Sequence, residues 1–244
     1  MSDAVSPDTG SGARPDEAER ELSPIAAFSA QERAAVYRAI YERRDVRNEF
    51  LDADVPQDVL RRILDAAHHA PSVGLMQPWN FIVVRDREKR AAIHAAFERA
   101  AAAEEQIMPA DRRAHYRSLK LQGILRAPLN ICVTCDRGRG GATGLGRTQQ
   151  ADTDLLSTAC AVQNLWLAAR AEGIGMGWVS ILRDADVREI LNIPPDIAIV
   201  AYLCAGYVDQ SYRRPELEVR RWATRLPLDD LLFEDGWGRK AAPP

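Results

Sequence analysis

Two hydrophobic periods run through this chain. A helical repeat first shows in RAAVYRAIYERR, which ends near Arg43 and Arg44 and follows Ser29-Ala30-Gln31-Glu32, an S-x-x-E capping box. A second helix is predicted from Pro56 to just before Pro71, with Val59, Leu60, Ile63, Leu64 and Ala67 on one side. WNFIVVR (79–85) and PLNICVTC (128–135) are short, β-branched runs that read as buried strands. Between them an Ala/Arg/Glu-rich helix follows Asp86, and another is predicted over 111–126. A strong helix over 152–171 carries Leu155, Ala159, Val162, Leu165 and Trp166 at helical spacing. Glycines 173, 175 and 177 then lead into a third strand at 178–181, a short helix at 184–191 and an apolar strand at 197–208. The remainder reads as extended. Residues 1–24, rich in Ser, Gly, Pro, Asp and Glu, predict a disordered tail, and residues 25–244 predict one α/β-type domain.

Charge narrows the function. With 32 basic and 35 acidic residues, a net of -3, the chain lacks the basic surplus of a general nucleic-acid binder. No run approaches the roughly 20 apolar residues of a membrane span, and the start of the chain lacks the apolar core of a secretory signal. A soluble, cytoplasmic protein is the expectation.

Cys132 and Cys135 form a C-x-x-C inside a strand-like run without a second pair, so they read, like Cys160 and Cys204, as structural thiols. The four histidines lack metal-binding spacing, and no metal is expected. The G-x-x-x-x-G-R-T at 141–148 has Arg147 in place of the P-loop lysine, and the next helix starts too late. It reads better as a flexible lid. Glycines 173–177 follow a helix and precede a strand, the reverse of a dinucleotide fingerprint, so they read as a helix cap and a close backbone approach.

Four segments remain as candidate chemistry. Arg43-Arg44-Asp45-Val46-Arg47 places three guanidiniums at a helix end, able to fork onto phosphate oxygens or simply to form a solvated charge run. Residues 70–81 form a Pro-bounded loop with Ser72, Gln77 and Trp79, suited to a flat polar heterocycle. Ser180 offers a lone hydroxyl after the glycine-rich strand entry, and Arg225 in R-L-P-L is one more guanidinium within reach of a phosphate.

R-R-D-x-R, A-P-S-x-x-x-x-Q-P-W-x-F, G-x-G-x-G-W and R-L-P-L, in this order, resemble the FMN-dependent nitroreductase superfamily over about residues 29–238. Asp45, where the general pattern has Ser, is similar to the branch that makes dimethylbenzimidazole. NLWLAARAEGIGMGWVS, AYLCAGYV and PELE (215–218) are similar to that branch too. Gln122 and Arg126 depart from it where acidic residues are expected, as does Arg221 where Gly is expected.

The resemblance implies an α+β, nitroreductase-like fold: a central mixed β-sheet flanked by helices, in a homodimer with FMN at the interface. An extended C-terminal arm would wrap the partner, with Trp222, Phe233 and Trp237 as interface or core material. It assigns Arg43, Arg44, Arg47 and Arg225 to the phosphate and ribityl chain, and Ser72 and Gln77 to the flavin. Val46 and Leu119 join the cofactor-binding set, as do Asp45 and Ser180, which are also the catalytic pair.

In that branch reduced FMN is a substrate, fragmented with dioxygen to the benzimidazole and erythrose 4-phosphate. NAD(P)H enters only indirectly, through flavin reduction, and a separate flavin reductase is a candidate partner. The arginines around Asp45 are expected to favour its ionised form, and residues 110–126 are expected to form a lid that excludes water. The rivals are an NAD(P)H-dependent flavin oxidoreductase acting on nitro compounds, quinones or corrinoids, and a non-catalytic flavin binder.

Overall fold

The computed structural model describes residues 25–141 and 144–240, so the expected tail over 1–24 lies outside the described residues. Packing divides the chain into two units, 1–37 and 38–244. The boundary falls within the first helix, α1 (Ala30–Glu42), and the expectation of one domain from residue 25 straddles it. The capping box forms as its spacing predicts. Ser29 N donates to Glu32 Oε2 at 2.9 Å, and Glu32 N donates to Ser29 Oγ at 3.3 Å.

The second unit is built on a four-stranded sheet: β1 (Trp79–Val84), β2 (Leu129–Asp136), β3 (Ile174–Trp178) and β4 (Ile197–Tyr207), in spatial order β1-β2-β4-β3. All three neighbouring pairs are antiparallel, which corrects the expected mixed sheet. The parallel element is a single bridge between Asp45 and Met176.

Strand periodicity sorts the core into two layers. Leu129, Ile131 and Val133 of β2 pack towards α2 (Gln57–His68) and α5 (Thr153–Ala171), with Leu60, Ile63, Val162 and Leu165. Cys132 of β2 and Tyr202 and Cys204 of β4 pack on the other face. There they meet Ile93 and Phe97 of α3 (Arg87–Ile107) and Val187 of α6 (Asp184–Leu191). Both faces are covered, and β2 is buried through Cys135. All four cysteines are free; Cys132, Cys135 and Cys204 are buried as expected, with the Cys132 thiol pushed up to about 12 by burial, whereas Cys160 is half-buried. Among the described residues no helix is long and apolar enough to cross a membrane.

Three elements differ from the sequence pattern. The helix predicted over 111–126 stops early, as α4 (Ala110–Ser118). Beyond it the chain presses on the 47–50 segment, where a Cβ on Gly123 would lie 2.4 Å from Arg47 O. Asn130 holds that stretch from the sheet, its Nδ2 donating to Ile124 O at 3.2 Å. The third strand lies on the glycines themselves rather than at 178–181. Gly173, with φ +76°, ends the preceding helix as expected.

The third difference is in α5, whose first turns bury Thr153, Asp154, Ser157 and Thr158 while Ala159 is exposed. Ser157 and Thr158 satisfy their hydroxyls on the carbonyls of Thr153 and Asp154, a polar packing that hydrophobic spacing does not reveal. Past β4 the chain is irregular except for α7 (Glu216–Val219) and a 3₁₀ turn at Leu228–Asp230.

The tightest contact in the fold generates a test. A Cβ on Gly177 would sit 2.0 Å from Val46 O, whereas one on Gly236 would meet nothing within 4 Å. Gly177→Ala is expected to cost about 3 kcal/mol in denaturant unfolding, and Gly236→Ala less than about 0.5 kcal/mol. Equal stabilities would refute the packing described.

Candidate active site

Where α1 ends, residues 45 and 46 turn to lie along β3. Val46 N donates to Met176 O at 2.8 Å. Asp45 is thereby held by both oxygens: Oδ1 accepts from Trp178 N at 2.9 Å and Oδ2 from Arg47 Nη2 at 2.5 Å. Arg47 is buried, and its Nη1 lies 3.5 Å from Glu216 Oε2. Glu216 is itself buried and takes the Tyr212 hydroxyl at 3.4 Å and Arg220 Nε at 3.4 Å. Arg47 Nε is buried without a partner.

Arg44 braces this arrangement from the other side. It donates to Tyr212 O at 3.0 Å, Arg213 O at 2.5 Å, and Tyr41 O and Arg43 O at 2.7 Å each. These bonds leave one of its five N–H groups for any other partner. Arg43 instead lies over the Trp166 ring, 4.7 Å from its centroid.

Arg47 and Arg43 favour the ionised form of Asp45 as expected, but burial decides the net direction. Burial pushes the Asp45 carboxyl above its ordinary value, outweighing Arg47, the Trp178 N–H and Arg43, which all pull it down; Glu216 adds to the rise. The arginines therefore do not dominate, although 33% of the side chain remains exposed. Arg43 is lowered, first by burial, with Asp45 opposing and Arg44 and Arg225 adding to the fall. Arg225 is thus near enough for its charge to be felt at Arg43.

The other predicted residues are dispersed. Arg43, Arg44 and Val46 line a cavity of about 200 Å³ with Trp166 and Gly175. Gln77 lines a second, of about 430 Å³, and Leu119 a third, of about 500 Å³. Ser180 is exposed, two residues beyond Trp178, and its hydroxyl makes no hydrogen bond among the described residues.

The loop 72–77 is preformed. Leu75 and Gln77 adopt left-handed backbone, φ 50° and 48°, at about 1–2 kcal/mol each. Ser72 Oγ accepts from Gln77 N at 2.8 Å, and Arg139 binds Gln77 O at 2.7 Å. The glycine-rich loop, expected as a flexible lid, packs here instead. A Cβ on Gly140 would be 2.5 Å from Met76 Sδ, and buried Asp154 pins the loop through Arg137 and Arg147 at 3.1 and 2.9 Å. Positions 142 and 143 lie outside the described residues.

This donor set fits a phosphate-bearing flavin. Arg43, Arg44 and Arg225 crowd positive charge that a dianion would neutralise, Asp45 being the anion that Arg43 feels. Arg47, pinned between carboxylates and mostly buried, fits a bracing role better than a phosphate contact. Sequence reasoning passed over Glu216 and Tyr212. The run PELE was noted only for its resemblance, and nothing local marks Glu216 as the partner of an arginine 169 positions away.

Residues 40–207 match the nitroreductase family. The 5,6-dimethylbenzimidazole synthase of Rhodospirillum rubrum is 41% identical over 185 residues, 76% of this chain and 87% of the relative. That of Rhodobacter capsulatus is 38% identical over 202 residues, 83% of this chain and 97% of the relative. Among solved structures, a Desulfovibrio desulfuricans protein described as a nitroreductase, in complex with FMN, has a TM-score of 0.59 at 25% identity. It covers 83% of this chain and 97% of that one.

The raised Asp45 carboxyl carries a sign. The native state holds this proton more tightly than the unfolded chain does, so stability falls as pH rises through the native midpoint. Asp45→Asn removes that loss. Its melting temperature relative to the parent chain is expected to climb as pH rises from the ordinary carboxylate range through the raised native midpoint. A relative decline over that range would show the arginines to dominate after all.

Proposed function

The chain belongs to the nitroreductase family, and on that premise we propose that it is a 5,6-dimethylbenzimidazole synthase, an oxidoreductase that fragments reduced FMN with dioxygen. The observation that carries this reading is the 41% identity to a synthase across 76% of the chain. Asp45 gives it a chemical centre. Bound FMN supplies both the reducing electrons and the carbon skeleton of the product.

Arg43, Arg225 and the remaining N–H of Arg44 would hold the phosphate, while Val46, Leu119 and the loop 72–77 line the flavin. Asp45 Oδ2 would accept a proton given up by reduced FMN during its fragmentation: it has one committed donor, Arg47, and a burial-raised affinity for protons. Trp178 N fixes Oδ1, so the carboxylate does not have to reorient. Ser180 keeps an exposed, uncommitted hydroxyl that can donate to or accept from an oxygen-bearing group. Reduced FMN is a substrate taken up from outside, with a separate flavin reductase as a candidate source and NAD(P)H acting only indirectly, through flavin reduction.

The site is completed by a second copy of the chain. Two features support this: Arg43, Gln77 and Leu119 line separate cavities of one chain, and the C-terminal arm exposes Leu226, Leu228, Leu231 and Trp237. Trp222 instead stays with its own chain, its ring 4.0 Å beneath Arg112 and 5.4 Å from His115.

Chemically reduced FMN mixed with the protein and exposed to air is expected to yield dimethylbenzimidazole as flavin disappears. Quantitative recovery of oxidised FMN would exclude the synthase and point to an NAD(P)H-dependent flavin oxidoreductase. Asp45→Asn is expected to slow product formation by ~100-fold or more. Arg225→Ala is expected to weaken FMN binding about tenfold, the loss of one charge-assisted hydrogen bond, as read by flavin fluorescence titration.

A further inference from the structure

Arg47 is one cation between two carboxylates that differ in exposure. Its Nη2 lies 2.5 Å from Asp45 Oδ2 and its Nη1 3.5 Å from Glu216 Oε2. The Arg47 and Glu216 side chains are 9% and 3% exposed, against 33% for Asp45. A guanidinium facing one carboxylate alone would be free to bind both its oxygens in a fork, the geometry that best holds the ionised form. Here one arm is drawn towards Glu216, and the second Asp45 oxygen is left to the Trp178 N–H.

Glu216 is fixed in place by independent means. It opens α7 behind Pro215, and Arg44 straps the preceding segment through the carbonyls of Tyr212 and Arg213. The same 43–47 stretch thus contributes both the strap and the shared cation.

We propose that Glu216 is a positioning residue for Asp45, competing with it for the Arg47 guanidinium and so keeping the Asp45 carboxylate able to take up a proton. This deepens the function proposed above and rests on its reading of Asp45. The groups facing Asp45 are Arg47, Arg43, the Trp178 N–H, Glu216 and, on β4, Cys204. Those facing Glu216 are Arg47, Arg220 and the Tyr212 hydroxyl. The direction agrees: after burial, Glu216 is the group that raises Asp45 against its cationic neighbours. A purely structural Glu216 would stabilise the fold without setting the proton affinity of Asp45.

The test is a ¹³C-carboxyl NMR titration of the full-length, flavin-free chain, with the Asp45 resonance identified by its loss in Asp45→Asn. Glu216→Gln keeps the shape and removes the charge. Its Asp45 midpoint is expected to move down, and the acid limb of the pH–rate profile to move down with it. Glu216→Asp, which keeps the charge, is expected to return the midpoint towards that of the parent chain. An unmoved midpoint in a folded Glu216→Gln chain overturns the proposal.

Should Glu216→Gln fail to fold, Arg220→Ala decides: without Arg220 beside it, Glu216 draws harder on Arg47, so the Asp45 midpoint is expected to move up. An unmoved Asp45 midpoint in that chain overturns the proposal. A chain that shows the coupling but forms no dimethylbenzimidazole loses the functional reading alone. One that forms product without the coupling loses only the role of Glu216.

Discussion

Backbone lies against backbone where residues 45 and 46 pass β3, and position 177 has no room there for a side chain. A Cβ on Gly177 would overlap Val46 O, and one on Gly175 would press on Val46 Cγ2 at 2.9 Å. The glycines let the chain leaving α1 bond directly to the strand, through Val46 N to Met176 O and Trp178 N to Asp45 Oδ1. From that contact follow the orientation of Asp45, the burial of Arg47 two residues on, and the approach of Phe50 to the far core layer. Gly123 repeats the device on the other side of the 47–50 segment, so the segment is clasped between two glycine contacts.

Burying Arg47 costs several kcal/mol of solvation, which its partners only offset if the geometry is good. Replacing such a cluster with apolar side chains is often neutral for stability, so stability alone is a weak reason for it. Its chemical consequence is more specific. Burial and a second carboxylate push Asp45 towards protonation while Arg47 and the Trp178 N–H hold its orientation. Arg47 and the Trp178 N–H thus set the orientation, and proton affinity is the balance of burial and Glu216 against those same two donors and Arg43. Arg43, half-buried, feels the positive charge of Arg44 and Arg225, a repulsion that a bound anion would relieve.

Much of the fold was legible because its signals are local. The capping box at Ser29, the apolar stripe of α2 and the buried run of β2 each depend on residues within one element. What was missed depends on partners distant in sequence. Glycine is a poor strand former, so β3 is a strand only because β4 pairs with it across Ile174 to Trp178. Residues 119–126 carry helical composition, but the contact at Gly123 dictates an irregular path. The first turn of α5 buries Asp154, whose partners Arg137 and Arg147 lie in the loop before it.

The candidate site divides the same way. Residues 43–47 stand together because they are contiguous, and Arg225 was placed with them by resemblance. The sequence alone could not show that Arg44 is committed to carbonyls, that Arg47 is shared, or that Glu216 exists as a partner. Those facts belong to the packing of residues 209–220 against 43–47.

The most direct measurement is a structure of the protein with reduced FMN bound in the absence of oxygen. The expected result has the phosphate at Arg43 and Arg225 and the isoalloxazine within hydrogen-bonding distance of an Asp45 carboxylate oxygen. A flavin whose ring lies out of reach of Asp45, with the 43–47 arginines unoccupied, would contradict the central claim that this half-buried carboxylate, paired to a shared arginine, takes up a proton during the reaction.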